Sequence, residues 1–184
     1  MKAYKKADFP VANVRRFLEP GPIVLVSSAW RDKTNIMTMG WYTVMEFEPS
    51  MIGCGIFSDY SSNLIKRSKE CVINLPTVDL ATVVVGIGNS TGAEVDKFAK
   101  FQLTAVRGAK IAAPLVNECY ANFECRVIDA SLFRKYHFFV VEVVKAHVAT
   151  APRYPRTIHY RGDGVFMVSG RHINLRRQFK PENL

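Results

Sequence analysis

Hydrophobic and polar positions alternate through most of this chain in short runs, and turn residues separate the runs. Ile23 to Ala29 is apolar and β-branched, Arg31-Asp32-Lys33 is a polar turn, and Ile36 to Phe47 reads as a second extended run with Gly40 as a bulge or close-approach point. Pro49-Ser50 turns the chain into a third strand, Met51 to Phe57. Cys71 to Leu75, Glu118 to Ala130, His137 to Thr150 and Val165 to Ser169 complete the strands, with Gly162-Asp163-Gly164 as the turn before the last. Helical spacing is rarer. Asp8 followed by Pro10 predicts a helix start with Val11, Val14 and Leu18 on one face. Ser61 to Glu70 places Leu64, Ile65 and Ser68 together and Lys66, Arg67 and Lys69 towards water. Thr77 to Ile87 reads as a buried helix, though its valines also suit a strand. Gly86 to Gly92 is a loop, and Glu94 to Phe101 is a short helix. Six or seven strands with few helices predict a mainly β fold, a barrel with flanking helices. The strands do not alternate with crossover helices, which excludes a doubly wound sheet.

At 184 residues the chain is one domain, 1–184, with no internal repeat. Its formal charge of +9 is uneven. Residues 1–33 carry +4 and residues 151–184 carry +5, so the excess lies in basic N- and C-terminal extensions. Such ends suit nucleic acid or an acidic membrane, or a solvated surface that attracts anionic cofactors. The second reading is preferred, because no aromatic residues interleave with the basic ones. No apolar run approaches the roughly 20 residues of a membrane span. The expectation is therefore a cytoplasmic protein with no nucleic-acid or membrane partner. Cys54, Cys71, Cys119 and Cys125 form no C-x-x-C pair and read as buried thiols, and the four histidines are too scattered for a metal site. No dinucleotide fingerprint, P-loop, zincin or nucleophile-elbow motif occurs.

The stretch Thr34-Asn35-Ile36-Met37-Thr38-Met39-Gly40-Trp41-Tyr42 resembles the FMN-binding strand of flavin reductase-like proteins. Ser58-Asp59-Tyr60-Ser61-Ser62-Asn63, Val72-Ile73-Asn74-Leu75-Pro76, Asp96-Lys97-Phe98 and His137 to Val143 match further family segments in order. The resemblance covers roughly residues 20–170. It implies a split β-barrel of the Greek-key kind, bound FMN, and a homodimer with FMN at the subunit interface. The activity implied is electron or hydride transfer from NADH or NADPH through FMN to flavin, ferric iron or a protein acceptor.

The resemblance also implies the site residues. A helix N-terminus with hydroxyls suits the FMN phosphate, which falls to Ser58, Ser61, Ser62 and Asn63. A serine there can equally be only an N-cap. Family members often carry a basic residue where this chain has Asp59, so Lys97 becomes the expected phosphate cation. Its alternative is an exposed helix lysine. The backbone of Thr38, Met39, Gly40 and Trp41 is expected to line the ring edge. Trp41 stacks near the ring or is a core or interface aromatic, and Asn35 contacts flavin or fixes the turn. His137 faces the flavin or nicotinamide pocket or is structural. Tyr136 precedes it where many relatives have aspartate. No catalytic side chain is expected, since hydride transfer depends mainly on proximity and stacking. Alternatives are a flavoredoxin-like carrier, a pyridoxamine-phosphate oxidase-like enzyme and, more distantly, a basic nucleic-acid-binding barrel. The aromatics Phe138, Phe139, Tyr160 and Phe166 are compatible with a large apolar interface.

Overall fold

The computed structural model describes residues 21–183, so the helix expected from Asp8 lies outside the described residues. The strands are β1 (Val24–Trp30), β2 (Lys33–Met39), β3 (Tyr42–Phe47), β4 (Ser50–Gly55), β5 (Glu70–Leu75), β6 (Ala105–Val106), β7 (Leu115–Val116), β8 (Ala121–Asp129), β9 (Phe138–Val148), β10 (Ile158–Gly162) and β11 (Val165–Val168). The helices are α1 (Asp59–Ser68), α2 (Ala81–Gly88), α3 (Lys97–Lys100) and α4 (Phe133–Tyr136). Seven strands form one antiparallel sheet in the order β2-β1-β5-β8-β9-β4-β3. The mainly β expectation holds. No described helix is long and apolar enough to cross a membrane.

The connectivity dictates a barrel. β2 and β3 are the two edges of the sheet, yet only Gly40 and Trp41 lie between them. Flat, seven strands would set the edges roughly 29 Å apart. The chain from Met39 to Tyr42 reaches at most about 11 Å. The sheet must therefore roll until its edges nearly meet, leaving a split at Gly40-Trp41. This corrects the single extended run expected over Ile36 to Phe47. The pattern of side chains continues across residues 40–41, but the strand leaves one edge and joins the other.

Strand alternation sorts the core. Val24, Val26, Met37, Met39, Cys71, Ile73, Cys125 and Phe139 pack inside the barrel, and Ile65 of α1 joins them. Leu25 and Ile36 point outward beneath Val84 and Ile87 of α2. Strand β1 is thus buried on both faces, which explains its unbroken apolar run. All four cysteines are buried and free. Burial raises the Cys54 pKa and pushes Cys119 up to about 12. A hydrogen bond with Cys71, its register partner, and burial raise Cys125. Raised thiols are poor nucleophiles, in keeping with an inert role.

Two fully buried polar side chains tie the outer layer to the sheet. Asn74 Nδ2 donates to Leu25 O at 3.1 Å and to Ser27 Oγ at 3.1 Å, while its Oδ1 accepts from Val116 N and Asn122 Nδ2. Glu124 accepts from Ala109 N, Lys110 N and Ile111 N at 2.9, 2.7 and 3.1 Å, and pairs with His147 Nε2 at 2.7 Å.

Candidate functional site

A cavity of about 740 Å³ opens where the barrel is split. One wall is the β2 edge, Met37 to Gly40, continued by Trp41. The second is Gly55, Phe57 and Ser58. The third is the C-terminal half of α2 with the loop to Ser90 and Lys97. The β10–β11 hairpin contributes Tyr160, Gly164 and Phe166. An edge strand keeps backbone groups that no neighbouring strand takes, so β2 presents donors and acceptors along this wall.

The polar end is built by Ser58 at the start of α1, by Gly88, Asn89 and Ser90, and by Lys97. Ser58 is the α1 N-cap, extended at φ −77°, and its Oγ accepts from Ser61 N at 3.4 Å. The helix therefore starts at Asp59, two residues before the expected Ser61. That shift decides which hydroxyls face the cavity. Ser58 lines it; Ser61 and Ser62 are buried in the first turn. Ser61 Oγ accepts from Asn35 Nδ2 at 2.8 Å, and Ser62 Oγ donates to Asp59 O at 3.1 Å. Asn63 is exposed on another face of α1, and Asp59 is exposed at its start.

Lys97 is 4 % exposed and lines the cavity. Its Nζ donates to Ile87 O at 3.0 Å, at the end of α2, and Ser90 Oγ also reaches Ile87 O. Burial lowers its pKa. The expected Glu94 to Phe101 helix shrinks to Lys97–Lys100, because Asp96 caps it through Ala99 N at 3.1 Å. The expected exposed-lysine alternative does not apply. Asn35 Oδ1, adjoining this end, is buried with no hydrogen-bond partner. A Cβ on Gly92 would fall on Asn35 Oδ1 and 3.0 Å from Tyr60 Cδ1, which places the loop against the first turn of α1. Gly92→Ala is expected to displace Asn35 and to cost about 1–3 kcal/mol of stability, read as a lowered thermal midpoint; an unchanged midpoint would show that the loop yields.

The other end is aromatic. Trp41 and Phe57 meet edge to face at 5.0 Å, and Tyr160 and Phe166 lie 5.1 Å apart. His137 stands behind this wall, not on the cavity lining. It caps α4 in the left-handed region at φ 53°, and its ring lies 5.4 Å from both Phe57 and Phe133. Its Nδ1 is buried without a partner. The strand expected to begin at His137 begins at Phe138, because this residue ends a helical turn.

Six of the eleven sequence-predicted residues thus share the cavity: Thr38, Met39, Gly40, Trp41, Ser58 and Lys97. Asn35 and Ser61 pair directly behind it, and Ser62, Asn63 and His137 are not brought to its lining. Sequence reasoning missed Ser90, Phe57, Tyr160 and Phe166. The Gly/Ser-rich loop was a usable signal for Ser90. Tyr160 lies on β10, a strand whose bounds the sequence pattern did not mark, and both it and Phe166 line the cavity. Phe139 belongs to the barrel core.

The model of the Flavin reductase like domain matches residues 15–166. The chain belongs to this family. A curated protein of Archaeoglobus fulgidus, itself uncharacterized, is 35 % identical to this flavin reductase-like chain over 135 residues, 73 % of the chain and 76 % of the relative. An FMN-binding domain of a flavin reductases-like enzyme from Shewanella baltica has a TM-score of 0.76 at 26 % identity, covering 91 % and 96 % of the two chains. Flavoredoxin from Methanosarcina acetivorans reaches a TM-score of 0.83 at 22 % identity, over 98 % and 100 %, and shares the fold. The split barrel is common ground with solved relatives.

Proposed function

We propose that the chain holds FMN in the cavity at the split and works as an oxidoreductase, moving electrons from NADH or NADPH to a flavin, ferric or protein acceptor. Lys97 carries this reading: a buried ammonium on the cavity wall whose hydrogen bond goes to a neutral carbonyl. Among the described residues no carboxylate pairs with it, and a buried cation so placed needs an anion to offset its desolvation. The Ser58 and Ser90 hydroxyls and the first amides of α1, which have no acceptor within the helix, complete a seat for a phosphate. The β2 edge from Met37 to Gly40 suits the polar rim of a flat ring, and Trp41, Phe57, Tyr160 and Phe166 exclude water from it. The residues fit FMN at both ends. Bound FMN supplies a ring that takes up two electrons and can release them singly or together. The protein's part is to orient donor and ring.

The test is spectroscopic. The purified protein, saturated with FMN and freed of excess, should be yellow, and NADH or NADPH without oxygen should bleach it. A protein that stays colourless ends the reading. A yellow protein that neither nucleotide bleaches favours a carrier of the flavoredoxin kind, as its likeness to that fold supports.

A homodimer is part of the same proposal. Edge strand β3 exposes Val44, Met45 and Phe47 at 59, 51 and 86 %, beside the half-exposed Trp41 and Phe57 at the cavity mouth. An exposed apolar edge strand invites pairing with a second copy. Phe47→Arg is expected to yield a monomer in light scattering; a dimer that survives this change uses another face.

A further inference from the structure

We propose that the groove between the β1–β2 turn and the outer stripe of α1 is a second binding site, for the adenylate part of a nucleotide. The groove has a volume of about 310 Å³ and lies outside the main cavity. Its two walls are rigid. The β1–β2 hairpin is paired from Val24↔Met39 to Trp30↔Lys33. Tyr60, Asn63, Leu64 and Arg67 line it from α1 at helical spacing, so they form one stripe.

The chemistry of the lining is specific. Arg31, Lys33 and Arg67 are all exposed, and among the described residues none has a carboxylate within ion-pair distance. Asp32 is the one acidic lining residue. Trp30 and Tyr60 are half-buried, and the Arg31 guanidinium lies over the Trp30 ring at 5.8 Å. Arg31 itself sits in the left-handed region at φ 56°, where a long side chain is disfavoured and glycine or asparagine is usual. The turn thus keeps a planar, five-donor fork at a backbone position that disfavours it, with an aromatic ring beneath it. Three cations with no carboxylate partner among the described residues suit phosphate oxygens, while the ring faces and the Asn63 amide suit a base. An acidic peptide would use the cations but would leave the aromatic floor without a role.

The inference stands apart from the contents of the main cavity. Tyr60 lines the groove and also stands beside Gly92, two residues beyond Ser90 of the main cavity. The adenylate could therefore come from a free nucleotide or from a dinucleotide such as NADPH or FAD that spans both.

The experiment is calorimetric titration of the full chain, with FMN added, by ADP, inorganic pyrophosphate and adenosine. ADP should bind saturably and more tightly than either fragment. Arg67→Glu and Lys33→Glu should each weaken ADP by about tenfold or more and leave FMN binding unchanged. Tyr60→Ala should weaken ADP but not pyrophosphate. If the same variants raise the KM for NADPH or the Kd for FAD in step, the source is a dinucleotide; if they do not, it is a free nucleotide. The proposal is overturned if ADP gives no saturable heat, if pyrophosphate binds as tightly as ADP, or if the charge reversals leave ADP affinity unaltered. Failure to bind FMN with ADP binding intact would remove the main-cavity reading and leave this one.

Discussion

Lys97→Met should raise the dissociation constant for FMN about 10–100-fold, which corresponds to losing one charge-assisted contact of about 1.5–3 kcal/mol. The same change should not lower the thermal midpoint of the FMN-free protein. There the ammonium is buried with, among the described residues, only the Ile87 carbonyl as its hydrogen-bond partner, and methionine has similar length without the desolvation penalty. Weaker binding with undiminished stability is the signature of a residue kept for a ligand. The pH dependence follows from the direction of the shift. Burial lowers the Lys97 pKa below that of the unfolded chain. Its contribution therefore opposes folding when protonated, and that opposition fades as pH rises through the folded value. Phosphate binding needs the protonated form, so FMN affinity should fall at alkaline pH sooner than an ordinary lysine would dictate. Lys97→Met should abolish that fall. Absorbance titrations with FMN at neutral and alkaline pH decide it, and equal affinities for the two proteins would refute the role.

Glu124→Gln should be among the most destabilising single changes in the chain. Burial by itself raises the Glu124 pKa, but hydrogen bonds from His147 and the amides of Ala109, Lys110 and Ile111 outweigh it and hold the carboxyl at about 2 instead of 4.5. That difference corresponds to on the order of 3 kcal/mol. In a domain of this size the melting point should drop by about 6–12 °C. Glutamine keeps the shape but turns an NH₂ towards donors, leaving buried amides unsatisfied. The folded pKa is depressed, so the stabilisation is complete above about 4.5 and is lost as pH falls towards 2. Denaturant melts of the two proteins should accordingly differ most near neutrality and converge in acid. A constant gap across that range would mean that packing, not charge, is responsible.

Local pattern made much of this molecule readable in advance, and tertiary contacts account for what was not. The strands at 23–29, 51–57, 71–75 and 118–130 stood out because their apolar residues serve two packed faces or alternate cleanly. The break at residues 40–41 was invisible, since Gly40-Trp41 changes the strand's neighbours and not its polarity. Glu124 looked like an ordinary strand glutamate; its role depends on amides some 15 residues away in sequence. Likewise Asn74 serves partners more than 40 residues distant. Within the site, the Thr38–Trp41 strand was legible from its resemblance. The division of labour among Ser58, Ser61 and Ser62 depended on a two-residue difference in where α1 starts, which capping alone decides. Tyr160 stood out only as an aromatic compatible with an interface; its place on the cavity depends on the β10–β11 hairpin, which no local pattern outlined.

The unsealed rim between β2 and β3 has a mechanical consequence. A barrel joined all the way round is stiffened by its own ladder, but this one has a gap bridged covalently by two residues and by no hydrogen bonds between the two edges. A flat ligand that pairs with the exposed peptide groups of Met37 to Gly40 acts there as a splint. Its arrival should slow amide exchange on both lips of the gap and leave the far side, at β5 and β8, as it was.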